Sequence, residues 1–300
     1  MERWPEANVP LAPLTTWKIG GPADWLVSPE TEAGLVEAVR WGNKRGLPLH
    51  LLGRGSNVLI SDEGLRGLVI CLRTFGQNAV RRGQFTDGQA YLEVPAGMSL
   101  PRLAKAVAGE GFGGYEFYIG IPGTVGGAVV MNAGFGPGDT RETAARCREV
   151  RILDPGGGDL RWEPYAAFHP AYRKTDLVGG TEVVVGARFA LEEESTKTAI
   201  RAVTAEHLAM RRTMQPLTRP TAGSVFKGTA EGVPAAVYID RCGLKALQVG
   251  GARVSPKHAN WIENTGGARA EDVLDLIRRV VEEVEEREGI RLETEVRFLR

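Results

Sequence analysis

Two short segments are so rich in glycine that their bare backbone becomes the first candidate for chemistry. In LGRGSNVL (52–59), Gly53, Gly55, Ser56 and Asn57 follow an apolar run. Successive N–H groups in such a turn can form a nest for an anion. In GIPGTVGGAVVMNAG (120–134), Gly120 and Gly123 precede what reads as a short helix, a setting that favours a phosphate. Neither segment ends in the GK[ST] of a nucleotide-binding P-loop, and neither is a GxGxxG fingerprint. Alone, each is read as readily as a structural turn. Together, each beside an apolar wall, they point to a ligand with a diphosphate and a flat ring. The longer stretch 113–138, which also contains Gly136 and Gly138, carries more glycine than any helix or strand tolerates cheaply, at about 0.5–1 kcal/mol each.

The remaining candidates are side chains. Arg173, in AYRKT, offers a planar fork that suits a carboxylate, although a loop arginine is most often a surface residue. Ser224 and Lys227 share AGSVFK, where a serine after Ala-Gly most often caps its own backbone. Glu295 alternates with Glu293 and Arg297 on the charged face of LETEVR, and periodicity does not choose between the two glutamates. Tyr172 suits stacking on a ring or burial in a core. VSPKHANWIEN adds Ser255, Lys257 and His258, and a lone histidine is more often structural than functional.

The bulk composition narrows the class. Of 300 residues, 43% are hydrophobic and 25% charged, with 37 basic against 37 acidic side chains. That balance gives no reason to expect nucleic acid or an anionic membrane as partner. No window approaches the roughly 20 apolar residues of a membrane helix, and the N-terminal segment lacks the basic and apolar regions of a signal peptide. Cys71, Cys147 and Cys242 are far apart and form no CxxC pair, which predicts free thiols in a reducing cytoplasm. The four histidines show no ligand spacing, so no metal is expected.

Three lobes would position these residues, giving an α+β protein. Residues 1–75 read as a small α/β unit: DWLVSP extended, a helix over 31–46 stopped by Gly46, a buried strand at LPLHLLG and another at GLVICL. Residues 76–195 are richer in strand, with hairpins at 78–94 and 149–162 and a strand at GTEVVVGARFAL. Residues 196–289 are bracketed by helices. The first is preceded by Glu192, Glu193 and Glu194, which suit a helix N-terminus. The second has Val273, Leu274, Ile277, Val280, Val281 and Val284 on one face and ends at Gly289. Residues 290–300 alternate as a strand, with Leu292, Thr294, Val296 and Phe298 on one side.

LTTWKIGGPA, LGRGSNVLISD, GYEFYIGIPGTVGGAVVMNAGFG, YRKT, AGSVFK, VSPKHANWIEN and LETEVR stand in the order and spacing of one family. From about residue 11 onward the chain resembles the UDP-N-acetylenolpyruvoylglucosamine reductases (MurB), in the shorter form that lacks an insertion near 172–190. The resemblance implies a peptidoglycan-precursor enzyme. In it, FAD reduced by NADPH reduces the enolpyruvyl ether of a UDP-sugar to a lactyl ether. It also implies two FAD-holding subdomains of PCMH type, 1–75 with 290–300 returning to it and 76–195, and a smaller substrate domain, 196–289.

Carried over by motif, the cofactor falls to Gly53, Arg54, Gly55, Ser56 and Asn57, and to Gly120, Pro122, Gly123, Thr124, Gly126, Gly127, Asn132, Ala133 and Gly134. The substrate falls to Tyr172, Lys227, Ser255 and His258. Catalysis falls to Arg173 for the carboxylate, Ser224 as proton donor and Glu295 as a partner that polarises the carboxylate or relays the proton. The oligomeric state is left open, and a monomer fits. Three positions depart from the pattern: Gly228 replaces an asparagine that touches the nucleotide, Thr175 replaces a serine, and Arg300 stands where glycine is frequent. Two other readings compete. A flavin oxidase of alcohols would often tether FAD through cysteine or histidine, yet none of the three cysteines lies in a glycine loop. An electron-carrier subunit would leave AGSVFK and LETEVR without a purpose.

Overall fold

The computed structural model describes residues 4–76, 79–135, 141–229 and 231–300. Gly136, Gly138 and the start of the expected hairpin at Asn78 lie outside the described residues. The chain begins with β1 (Glu6–Pro10), β2 (Pro22–Val27), α1 (Glu32–Lys44), β3 (Leu49–Leu52), β4 (Val58–Ile60) and β5 (Leu65–Cys71). Next come β6 (Arg81–Gln84), β7 (Ala90–Pro95), α2 (Leu100–Gly109), α3 (Val125–Met131), β8 (Cys147–Leu153), β9 (Leu160–Pro164) and β10 (Val183–Ala190). The chain continues through α4 (Lys197–Met214), α5 (Ala235–Arg241), β11 (Gln248–Val249), β12 (Ala252–Val254), β13 (Ile262–Asn264), α6 (Ala270–Glu288) and β14 (Arg297–Leu299).

These strands form a sheet ordered β1-β2-β5-β3, a five-stranded sheet ordered β6-β7-β10-β8-β9, a small sheet β11-β12-β13, and the pair β14-β4. In the first sheet β2 and β3 flank β5 in parallel. α1 covers it with Leu35, Ala38 and Val39, after Thr31 accepts the Gly34 N–H to cap its start. β3 is an edge strand, so Leu51 is exposed where the apolar run predicts burial. The five-stranded sheet is antiparallel throughout, and its core residues pack against α2 and α3.

Residues 196–289 do not form an apolar core of their own. Trp17, Ile19 and Leu59 share one apolar cluster with Val273, Leu276, Val280, Val284, Leu292 and Val296. The docking of this segment is polar as well as apolar. The Trp17 indole N–H donates to the Ile262 carbonyl at 2.7 Å, and the Asn264 amide donates to the Trp17 carbonyl at 3.0 Å. The Asp62 carboxylate accepts the Ala270 N–H at 2.8 Å and the Glu271 N–H at 3.2 Å, so a residue of LISD caps α6.

α6 ends as the sequence predicts, with Gly289 in the left-handed region at φ 69°. Leu276 replaces Leu274 on its most buried stripe. Two expectations fail for tertiary reasons, and some short elements go unpredicted. Glu192 and Glu193 do not serve α4, which Thr196 caps; they pair with Arg146 at 3.6 and 2.5 Å. Phe298 is exposed although it lies within the paired strand, because β14 belongs to a sheet of only two strands. α5 and the small sheet, absent from the sequence-based outline, are built from elements of two to seven residues. Among the described residues no helix is long and apolar enough to cross a membrane.

Candidate active site

The two glycine loops meet. The first follows β3, and the second joins a 3-10 turn at Glu116–Gly120 to α3. The Thr124 side chain accepts the Gly127 N–H at 3.3 Å and caps α3. A Cβ on Gly53 would fall 2.6 Å from that same Thr124 Oγ1. A Cβ on Gly123 would lie 3.3 Å from Leu100 and 3.7 Å from Ser56 Oγ. The loops can therefore run this close only with bare backbone at Gly53. Gly55 turns in the left-handed region at φ 60° while its carbonyl accepts the Thr16 N–H. On the open side Gly127 is exposed, and a Cβ there would find only Thr124 Oγ1, at 3.6 Å. A cradle whose outer edge is unclothed backbone fits a flavin dinucleotide, whose diphosphate is matched by N–H donors and whose ring needs a flat approach. Arg54 and Pro122 are exposed at its rim.

Not every expected cofactor residue faces outward. Asn132 is fully buried at φ 42°, donating to the Ala171 carbonyl at 3.1 Å and accepting the Ala144 N–H at 2.8 Å. The Ala133 carbonyl is taken by Thr143. Asn132 and Gly134 instead fix the loop that carries Arg173.

Arg173 is the hub of the second part of the site. It stands at φ 55°, a backbone region that non-glycine residues seldom occupy. Its Nη2 donates to the carbonyls of Gly134 and Phe135, both at 2.7 Å. Its Nε donates to Glu295 Oε1 at 2.9 Å, and its Nη1 is buried without an acceptor among the described residues. Burial pushes the Glu295 carboxyl up from its ordinary value, opposed by the charges of Arg173 and Lys227. The choice between the glutamates is thus made by pairing. Glu295 faces Arg173, whereas Glu293 is exposed and holds the Lys227 ammonium at 2.5 Å.

The third lobe brings Ser224 to the same place. The Val225 carbonyl accepts the Glu295 N–H at 2.8 Å, and Phe226 bridges Thr294, so AGSVFK lies against LETEVR. Asn260 fixes that segment, accepting the Phe226 N–H at 2.9 Å and donating to its carbonyl at 2.8 Å. The Tyr172 hydroxyl accepts the Gly228 N–H at 3.2 Å, and the Arg173 guanidinium lies 4.8 Å from the Tyr172 ring. The first glycine loop joins in, with the Asn57 amide donating to the Glu295 carbonyl at 3.2 Å. Thr175 donates to the Val130 carbonyl at 2.6 Å.

Ser255 and His258 are engaged elsewhere. Ser255 Oγ is buried and accepts the N–H groups of Lys257 and His258, closing a turn. His258 packs beside Trp261, and burial lowers its pKa. Sequence reasoning missed Asn260 and Arg211. Arg211 extends from α4 over Gly120, where a Cβ would lie 2.2 Å from its Cδ. Recesses of about 560 and 440 Å³ are lined by residues between Arg212 and Gly267, the larger one also by Lys18, and neither includes Arg173 or Glu295.

Comparison with known proteins follows the same outline. Residues 23–162 match the model of an FAD binding domain. Residues 215–299 match the C-terminal domain of UDP-N-acetylenolpyruvoylglucosamine reductase. The reductase of that name from Synechococcus sp. strain RCC307 is 41% identical over 289 residues, covering 96% of this chain and 92% of its own. That from Synechococcus sp. strain JA-3-3Ab is 41% identical over 98% of this chain and 91% of its own. The crystal structure of the Thermus caldophilus enzyme superposes with a TM-score of 0.80 at 35% identity, covering 99% of both chains.

Proposed function

The chain belongs to the UDP-N-acetylenolpyruvoylglucosamine reductase family, and from that premise we propose that it reduces the enolpyruvyl ether of UDP-N-acetylglucosamine to UDP-N-acetylmuramate. NADPH is the reductant and FAD the resident cofactor of this peptidoglycan-precursor step, which we assign to the cytoplasm. When bound, FAD supplies the hydride, received from NADPH and passed to the vinylic carbon of the substrate. The loops 53–57 and 120–134 would hold it. No step requires a second copy of the chain.

As the hydride arrives, negative charge grows on the substrate carboxylate. The buried Arg173 Nη1, which has no acceptor among the described residues, is the observation that carries this reading. An unsatisfied buried donor costs about 1–3 kcal/mol, and a carboxylate oxygen there would remove that penalty. Glu295 and the carbonyls of Gly134 and Phe135 hold the guanidinium in place. Ser224 then gives its proton to the α-carbon: a C–H bond forms, the O–H bond breaks, and the alkoxide recovers a proton from water. Lys227, paired with Glu293, adds positive charge that acts on Glu295. Two hydrogens are added across the double bond, and NADPH leaves as NADP⁺.

The test is made on FAD-loaded protein, bleached anaerobically with one equivalent of NADPH. Adding the enolpyruvyl ether should restore the oxidised flavin spectrum and give one lactyl product per flavin. Recovery with oxygen alone would return the oxidase and electron-carrier readings.

A further inference from the structure

α4 meets the second lobe with one face only. Its less exposed positions are Ile200, Thr204, His207, Leu208 and Arg211, which fall on a single stripe, while the rest of the helix is open to solvent. The helix packs on the 3-10 turn Glu116–Gly120. His207 stacks on Phe135, with ring centroids 5.5 Å apart and planes at 29°. One turn further on, and therefore beside it, Arg211 reaches over Gly120. A Cβ on Gly120 would lie 2.6 Å from Arg211 Nη1 and 3.0 Å from its Nε, so the guanidinium occupies the space a side chain would need.

A stripe that faces protein is ordinarily apolar, yet Arg211 is charged and partly buried. Its guanidinium makes no hydrogen bond or ion pair to another described residue. Burial lowers its pKa, and no described carboxylate opposes that shift. A desolvated cation without an anion beside it is unfavourable, so this arrangement calls for negative charge from outside the chain. Its position says which charge. Gly120 opens the loop assigned to FAD, and Phe135, on which His207 stacks, gives its carbonyl to Arg173 Nη2. Arg211 therefore stands where the cradle adjoins the catalytic corner. That is the end at which the reacting ring has to lie, because the hydride must reach a substrate held by Arg173.

We propose that Arg211 is the electrostatic partner of the flavin ring and holds the negative charge that the ring carries once reduced. The inference rests on the reductase reading for FAD and NADPH. A hydride brings one negative charge with its two electrons: the C–H bond of the nicotinamide breaks, an N–H bond forms on the ring, and NADPH leaves as NADP⁺. Before that transfer the ring is neutral and Arg211 has no pair; after it the pair is made. A cation that favours the reduced form over the oxidised one raises the reduction potential of the bound cofactor. The FAD diphosphate is charged in both states, and a cation holding it would favour neither and shift nothing.

The test compares FAD-loaded wild type with Arg211→Gln and Arg211→Lys. Potentials are read by equilibrating each protein with a redox dye of known potential, and the Kd of oxidised FAD by the change in flavin fluorescence. Arg211→Gln should lie about 30–60 mV lower, a ten- to hundredfold weaker hold on the reduced form for a two-electron couple. Its affinity for oxidised FAD should stay close to that of wild type. Arg211→Lys keeps the charge and should recover most of the difference. Without FAD, Arg211→Gln should melt no lower than wild type, since it has lost only an unpaired cation. A lower melt with an unchanged potential would mark a structural arginine and overturn the proposal. Equal weakening of both redox forms, or loss of oxidised FAD by folded Arg211→Gln, overturns it by assigning Arg211 to the diphosphate. A fall in potential that Arg211→Lys fails to recover overturns it too, because charge would not be the cause. None of these measurements uses the UDP-sugar, so its failure to reoxidise the wild-type flavin would defeat the reductase reading separately.

Discussion

In the cradle, polarity comes from the backbone; in the corner around Arg173, it comes from side chains. The cradle is made where Gly53 lies against Thr124 and Gly127 stays exposed, and it needs the absence of atoms. The corner assembles Arg173, Glu295 and Ser224 from three distant segments and needs particular charges in particular places. A region defined by backbone should tolerate changes of charge but not of bulk, and a region defined by side chains the reverse. This contrast predicts that binding and chemistry are separable by mutation.

The largest separation is expected at Ser224. Ser224→Ala should slow turnover by about 10²–10⁴ through loss of the proton donor, while NADPH still bleaches the flavin at the wild-type rate. Stopped-flow absorbance of the two half-reactions reads both. Arg173→Met should slow reoxidation by about 10²–10³ and leave FAD affinity intact. Loss of FAD in that variant would break the contrast, showing that the corner also builds the cradle.

Glu295 sharpens the contrast through pH. Burial raises its carboxyl pKa, so on acidification it takes a proton above the ordinary glutamate value of 4.5 and releases its hold on Arg173. Turnover should fall as pH drops through that raised value. Glu295→Gln should run at a lower plateau, about tenfold down, with this acid limb missing. A limb unchanged in the variant would assign it to another group.

The smallest effects belong to the cradle, where two glycines should respond with opposite signs. Gly53→Ala places a Cβ 2.6 Å from Thr124 Oγ1, and overpacking of this kind costs about 1–3 kcal/mol. Gly127→Ala meets nothing closer than 3.6 Å inside a helix, so the FAD-free protein should gain about 0.5–1 kcal/mol. It should nonetheless bind FAD more weakly. Thermal melts with and without FAD measure both.

The same contrast explains what the sequence discloses. Glycine loops are visible because an absent side chain is written at its own position, and α6 is visible because nineteen residues carry a periodic stripe and a terminal glycine. The corner is legible only as motifs. Nothing local chooses Glu295 over Glu293, because the choice is made by Arg173 reaching across from another lobe. Glu192 and Glu193 mislead for the same reason, since Arg146 claims them. The three residues of β4 are too few for alternation to show, and the alternation over 290–300 predicts a longer strand than the three residues of β14 that pair. Asn132 and Ser255 bear the right residue types, but their polar atoms are taken by neighbouring backbone.

The bond from Asn57 to the Glu295 carbonyl spans 238 residues. The entropy of closing so long a loop grows only logarithmically with its length, so it weighs little on final stability. It weighs on time, because contacts this distant in sequence are slow to be found. Helices and hairpins of the first two lobes have local routes to their structure; the carboxylate that aims Arg173 does not. Sequence separation alone therefore predicts an order of assembly, with Gly53 meeting Thr124 across 71 residues before Asn57 meets Glu295 across 238.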